Sequence, residues 1–336
     1  MRDKTIFFTK RSTICLGALV CNALWGSAFP AIKTGYKMFR ISSGDVSSQI
    51  LFAGIRFMLA GFLTVLIGSI LNKRILTIKR KNLSAVLELA MLQTVIQYIF
   101  FYIGLANTTG VKASIIESVS VFAALLISGL LFHFEKINTR KMAGCFLGFI
   151  GVILINIGGN GLEGGFKMTG EGFILLSTVS YGFSTVVMKY FSERELPIAL
   201  SGYQFMAGGT IMAAAGFLMG GRFHVTLSKA GWQGILLLVY LAIISAAAYS
   251  LWGTLLKYNP VSKVAVYGFF NPVFGVLLSA LILGERGEAF GVRGILALLF
   301  VSAGIFITNS SREVSQEKNE MDVSDGAGIT INESSR

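Results

Sequence analysis

Charged residues are scarce in this sequence. Only 14% of its 336 residues are Asp, Glu, Lys or Arg, whereas 54% are hydrophobic and the mean hydropathy is +0.70. Soluble domains carry roughly 25% charged residues, so this composition excludes an ordinary soluble globular protein. Much of the surface must contact lipid, and the sequence therefore predicts an integral membrane protein.

Cysteine and histidine are also few. Cys15, Cys21 and Cys145 stand apart in apolar stretches, which excludes a disulfide scaffold, and His133 and His224 are the only histidines. The sequence contains no HExxH, no G-x-S-x-G and no Walker A motif. We therefore expect no metal, no cofactor, no catalytic residues and no enzymatic activity.

Long charge-free windows are abundant instead. They run from 16 to 27 residues and comprise 12–32, 57–72, 89–111, 118–134, 142–162, 172–188, 196–221, 230–256, 264–284 and 294–311. About 20 helical residues span the hydrocarbon core, so the pattern predicts an all-α protein with ten transmembrane helices. The second window reaches this length only with residues 49–55, which places Arg56 inside the membrane.

The positive charges predict the orientation of the chain. With ten spans, 19 of the 29 Lys and Arg residues fall on the side of both termini and 9 on the other, with Arg56 between them. This bias predicts that both termini are cytoplasmic and that the protein lies in the inner or plasma membrane. The net charge of +12 is then explained by orientation in the membrane and not by nucleic-acid binding. Residues 1–11 then form a cytoplasmic arm, and the polar residues 310–336 a disordered cytoplasmic tail.

The two halves of the sequence resemble each other. Residues 12–158 align with 168–309 at offsets between 148 and 156, with these matches: Trp25-Gly26 with Tyr181-Gly182, Lys33 with Lys189, Arg56-Phe57-Met58 with Gln204-Phe205-Met206, Tyr98 with Tyr249, Lys112 with Lys263, and Glu135-Lys136 with Glu285-Arg286. Each repeat has five spans, an odd number, so the second must be inverted in the membrane. Inverted repeats are an architecture of secondary transporters, whose substrates bind near the midplane between the halves.

Several motifs carry a family resemblance over about residues 12–309. These are WGSAFPAIK in the first span, RF in the second, a fourth span ending at Glu135, GCFLGFIG in the fifth and NPVFGVLLSALILGE in the ninth. In this order the sequence resembles the EamA-type ten-helix proteins of the drug/metabolite transporter superfamily. The resemblance implies two inverted five-helix repeats and a carrier, often an exporter, of small metabolites, amino acids or drugs. The repeat register aligns Phe122 of the fourth span with Pro272 of the ninth, and Gln204 of the seventh with Arg56 of the second. Because these pairs differ, symmetric gates are not implied.

Two charges lie at similar depth inside the predicted membrane. Arg56 is about seven residues from the outer end of helix two, and Glu117 about five from that of helix four. A charge near the bilayer centre costs on the order of 3 kcal/mol, so such residues pair or line a wet cavity. Two interpretations stay open: a static ion pair between them, or a place on the substrate path, with Glu117 as a candidate proton carrier and H+ as the coupling ion.

Other polar and aromatic side chains within the spans are candidates for the substrate path. Each could instead serve as interhelical hydrogen-bond glue, packing or an interfacial belt. The candidates are Trp25, Gln93, Gln97, Tyr98, Tyr181, Gln204, Tyr249, Trp252 and Asn271.

Two prolines lie within spans and are candidate hinges. Pro30 and Pro272 leave the carbonyls of Gly26 and Gly268 without a helical partner, which serves either a hinge or a fixed kink. The GxxxG motifs at Gly144 and Gly216 indicate close helix packing, within a monomer or in a homodimer.

The function that the sequence favours is a secondary transporter that moves a small organic solute by alternating access, and the family resemblance implies export. One alternative is a carrier of sugar nucleotides or phosphorylated metabolites, which would favour several Lys or Arg residues inside the bundle, whereas only Arg56 is clearly intramembrane. An alternative from another class is a membrane-embedded lipid or glycan enzyme, which would need clustered acids or histidines at one membrane face.

Overall fold

The computed structural model describes residues 2–133, 137–156, 166–192, 194–223, 229–259, 264 and 266–310. Within these ranges all regular structure is helical and no strand occurs, which confirms the predicted all-α class. The repeat partners Glu135, Lys136 and Lys263 and residues 311–336 of the predicted tail lie outside the described residues.

The longer helices follow the charge-free windows. Their bounds are α1, Arg11–Met38; α2, Val46–Leu71; α3, Arg80–Asn107; α4, Gly110–Leu131; α5, Thr139–Asn156; α6, Met168–Ser192; α7, Pro197–Leu218; α8, Lys229–Tyr258; α9, Tyr267–Ile282; and α10, Val292–Ser310. Short helices at Arg2–Thr9 and Arg286–Phe290 precede α1 and α10.

Seven helices in the described part of the chain are long and apolar enough to cross a membrane. They are α1 to α6 and the Trp232–Tyr258 part of α8, while α9 and α10 are shorter apolar helices. Large apolar side chains point outward from the bundle, with Phe62 54%, Phe146 70% and Phe217 70% exposed. Such a surface suits lipid, in which a helix satisfies its own backbone hydrogen bonds.

Helices α2 and α7 pack backbone against backbone. A Cβ atom at Gly54 would overlap the Ala213 nitrogen, and one at Gly209 would overlap the Met58 nitrogen. Gly216 meets the Leu51 backbone in the same interface, where a Cβ atom would lie 2.5 Å from the Leu51 nitrogen. These contacts leave no room for any side chain, so glycine sets the distance between α2 and α7.

The GxxxG motif at Gly144 and Gly148 also packs against helices of the same chain. A Cβ atom at Gly144 of α5 would overlap Thr308 Oγ1 of α10, and one at Gly148 would overlap the Phe122 ring of α4. Gly144, Gly148 and Gly216 thus hold neighbouring helices of one chain together, whereas Gly220 lies beyond the end of α7, and a Cβ atom there would meet no atom within 4 Å.

Several helices depart from regular α geometry at mid-length. Helix α4 is interrupted at Ser118, directly after Glu117, and α3 has a π-helical segment at Ala90–Ile96. At its start, α9 overlaps a 3₁₀ turn at Val266–Phe269. Helix α1, in contrast, runs unbroken through Pro30. The interruption of α4 therefore lies beside an intramembrane carboxylate, whereas the proline of α1 causes none.

The α2–α7 contact gives the first prediction. Gly54→Ala should lower the thermal stability of the purified protein in detergent, because the added methyl group forces the two backbones apart at a cost of about 1–3 kcal/mol. Gly44→Ala is the matched control, since no atom lies within 4 Å of the position that its Cβ would take. Equal melting temperatures for the two variants would contradict this packing.

Candidate functional site

A cavity of about 370 Å³ lies inside the bundle. Its lining runs from Ile32 and Phe101 to Ser128, Lys189 and Leu256, which are near the ends of α4, α6 and α8. The short N-terminal helix packs at that same end, where Asn259 Nδ2 donates to the Phe8 carbonyl at 2.9 Å. We call this the amino-terminal end of the bundle, and the opposite one the far end.

Aromatic rings form one wall of the cavity. Trp25 contacts Tyr249 and Trp252 edge to face, with ring centroids 5.3 and 5.2 Å apart. The hydroxyls of Tyr98 and Tyr249, partners in the predicted repeat, lie 2.8 Å apart. These four predicted aromatic residues line the cavity, and Tyr181 joins them.

Arg56 lines the cavity and is 2% exposed. Its guanidinium donates to the Tyr102 hydroxyl at 2.5 Å, the Ser245 hydroxyl at 2.9 Å and the Leu241 carbonyl at 3.2 Å. It also lies 4.8 Å from the centre of the Phe57 ring, within cation–π range. Neutral groups from α3 and α8 therefore hold this cation in place.

Glu117 also lines the cavity, and one hydrogen bond to its carboxylate is described. Ser177 Oγ of α6 donates to Glu117 Oε2 at 3.2 Å. Glu117 is the last residue of the first segment of α4. Ser118, at the break in α4, lines the cavity next to it.

The Arg56–Glu117 ion pair, one of the two interpretations of the sequence, is not formed. The described residues contain ion pairs within 4 Å only between Lys33 and Glu285 and between Lys112 and Glu171. Arg56 instead takes uncharged partners, and Glu117 takes a serine. Arg56 and Glu117 thus line one cavity without forming an ion pair with each other.

Three buried polar atoms of lining residues have no hydrogen-bond partner within the described protein. They are Trp25 Nε1, Gln97 Oε1 and Asn271 Oδ1. An unpaired buried polar group costs about 1–3 kcal/mol, so a molecule that bonded these atoms would be stabilised in the cavity. The set offers one donor and two acceptors.

Gln93 and Gln204, two of the predicted path residues, are not among the residues that line the cavity. Gln204 Nε2 donates to Gln93 Oε1 at 3.1 Å, and Thr94 donates to Gln204 Oε1 at 2.5 Å. Gln93 in turn donates to Ser184 of α6. Their polar groups satisfy one another between α3, α6 and α7, so they act as interhelical glue.

The four predicted hinge residues have different surroundings. Gly268 lines the cavity in the 3₁₀ turn that opens α9, whereas Pro30 and Pro272 are buried in packed helices. At Gly26 a Cβ atom would lie 2.8 Å from the Gly275 nitrogen, so this glycine permits contact between α1 and α9.

Two partners of Arg56 were not predicted from the sequence. Tyr102 follows Tyr98 by four residues, and Ser245 precedes Tyr249 by four. Residues four apart share a helix face, so the two predicted tyrosines could have located both.

Charged groups tie the helices together at the far end. Lys33 Nζ lies 3.9 Å from Glu285 Oε1, and Glu285 accepts the backbone N–H groups of Gly110 and Val111 at 3.1 and 2.9 Å. Lys33 also donates to the Thr108 carbonyl. These contacts join α1, α4 and the segment after α9 beyond the cavity.

The chain matches the EamA-like transporter family over residues 12–157 and 168–310. It is 30% identical to an uncharacterized transporter of Archaeoglobus fulgidus, over 67% of this chain and 75% of that one. It is 28% identical to the uncharacterized inner membrane transporter YedA of Escherichia coli K12, over 85% and 87% of the two chains. It is 26% identical to the uncharacterized transporter YvbV of Bacillus subtilis, over 86% and 89%.

A solved crystal structure of another protein shares the fold. The TM-score is 0.64 at 16% identity, over 91% of this chain and 99% of that chain. The family match over both halves, together with the apolar helices, identifies the chain as a multi-pass membrane protein that belongs to the EamA-like transporter family.

Proposed function

We propose that the protein is a secondary transporter that exports a small neutral or zwitterionic organic solute. The observation that carries this proposal is the cavity, in which Arg56, Glu117 and three polar atoms without partners in the described protein face aromatic walls. A volume of about 370 Å³ is within the range of small-molecule sites, roughly 300–1,000 Å³. A zwitterion would find a carboxylate, a guanidinium and an apolar surface in one place.

The proposed architecture is ten spans in two inverted repeats, residues 12–158 and 168–309. In addition to the seven helices that are long and apolar enough to cross a membrane, α7 has the length of a span, with 22 residues, and α9 and α10 are shorter apolar helices. The separate family matches to residues 12–157 and 168–310 support two units of nearly equal length.

The proposed mechanism is alternating access. The cavity extends toward the amino-terminal end, while Lys33, Glu285 and Thr108 join helices at the far end. With both termini in the cytoplasm, as the charge bias favours, this arrangement is an inward-facing state. Opening the far end then requires that the Lys33–Glu285 contact separate.

The cavity favours a neutral or zwitterionic solute over a phosphorylated one. The Arg56 guanidinium already donates to three protein groups, and the other cation among the described lining residues, Lys189, lies near the end of α6. A multiply charged phosphate would need more free cations at mid-depth.

Metabolite profiling tests the function directly. We expect cells that overproduce the protein to accumulate a small organic solute in the medium, and cells that lack it to retain that solute. Proteoliposomes of the purified protein should then transport the same compound, and Trp25→Ala should slow its flux. No flux of any enriched compound, or enrichment confined to phosphorylated compounds, would contradict the proposal.

Glu117 is the proposed proton carrier. Glu117→Gln should abolish the dependence of solute flux on an imposed pH gradient, because an amide cannot take up or release a proton, while solute exchange without a gradient persists. Glu88→Gln is the matched control, since Glu88 is an exposed carboxylate on α3 outside the cavity. Unchanged pH-driven flux in Glu117→Gln would rule out this role.

A further inference from the structure

A second cavity, of about 320 Å³, lies at the amino-terminal end of the bundle. It is bounded by the loop between α2 and α3, the turn between α6 and α7, and the end of α8. Four of its lining residues are cations: Arg74, Lys79, Arg194 and Lys257. We call this cavity the basic pocket.

The one carboxylate among the described residues of the basic pocket is already engaged. Glu195 Oε1 accepts the Asn82 Nδ2–H at 2.6 Å and the Lys79 backbone N–H at 3.3 Å, which fastens the α2–α3 loop to the α6–α7 turn. Among the described residues, none of the four cations has a carboxylate within ion-pair distance. Among the described lining residues, four positive charges therefore border one concavity together with a single negative charge.

Two further features of the pocket favour an anion. The Arg194 guanidinium donates to the Tyr190 hydroxyl at 2.8 Å and lies 4.7 Å from the centre of that ring, which restrains its position. Leu196, which precedes α7, and Ala199 in the first turn of α7 form one wall. A helix N-terminus carries a partial positive charge, so it adds to the field of the cations.

We propose that the basic pocket binds a phosphate-bearing anion, either the headgroup of an anionic lipid or a soluble phosphorylated compound. Arginine and lysine converging on a concave site are typical of phosphate recognition, because charge-assisted hydrogen bonds to phosphate oxygens are strong. The site is separate from the proposed solute cavity. The two adjoin at the end of α8, where Leu256 lines the solute cavity and Lys257 the basic pocket.

The test compares ligands and variants of the full-length protein. Native mass spectrometry after delipidation would measure retention of phosphatidylglycerol against phosphatidylcholine, and calorimetry would measure binding of inorganic phosphate and glycerol 3-phosphate. Arg194→Gln/Lys257→Gln should weaken binding of the phosphate-bearing ligand roughly tenfold or more, because two charge-assisted contacts are lost. Binding of phosphatidylglycerol alone identifies a lipid site, and binding of the soluble phosphates identifies a metabolite site.

A matched double variant distinguishes specific binding in the basic pocket from a general effect of net charge. Lys10→Gln/Arg80→Gln removes the same charge from exposed positions outside the basic pocket, and it should leave binding unchanged. Equal loss in both double variants, or no preference for any phosphate-bearing ligand, would overturn the proposal. If the pocket double variant fails to elute as a single species, Lys257→Gln alone supplies the same comparison with a smaller loss.

Discussion

The burial of one positive charge organises the centre of this protein. Arg56 lies where a lone charge would cost on the order of 3 kcal/mol, and its partners come from different helices: Tyr102 of α3, and Ser245 and the Leu241 carbonyl of α8. All are uncharged, so the guanidinium keeps its full charge beside the cavity. The Glu117 carboxylate on α4 lines the same cavity and has no ion-pair partner among the described residues.

The surrounding packing divides into rigid and adaptable parts. Glycines bring α2 and α7 into backbone contact, and α5 against α10, so these pairs have little freedom to slide. Helix α4 breaks at Ser118 and α9 begins with a 3₁₀ turn, and both irregular segments border the cavity. Interruptions of this kind are tolerated at membrane depth where they line a cavity. The break in α4 and the 3₁₀ turn at the start of α9 therefore both lie at the cavity wall.

The helical class, the membrane location and the family could be predicted from the sequence, because each rests on composition and on patterns repeated over many residues. The aromatic wall could be located too, since Trp25, Tyr98, Tyr249 and Trp252 meet in the cavity. The position of Gln93 and Gln204 could not be predicted. Residues that hydrogen-bond between helices and residues that line a cavity have the same polarity, and they differ only in the direction of the side chain. Nor could pairing of Arg56 with Glu117 be decided, since depth along a helix does not fix rotation about its axis.

One chemical modification tests most directly whether the cavity is the solute path that we propose. Ala124 lines it, and the measurement is the flux of the exported solute through Ala124→Cys, with Cys15, Cys21 and Cys145 replaced by alanine, before and after reaction with a cationic methanethiosulfonate. We expect modification to block flux and excess solute to slow modification. Full flux through the completely modified protein would contradict the claim.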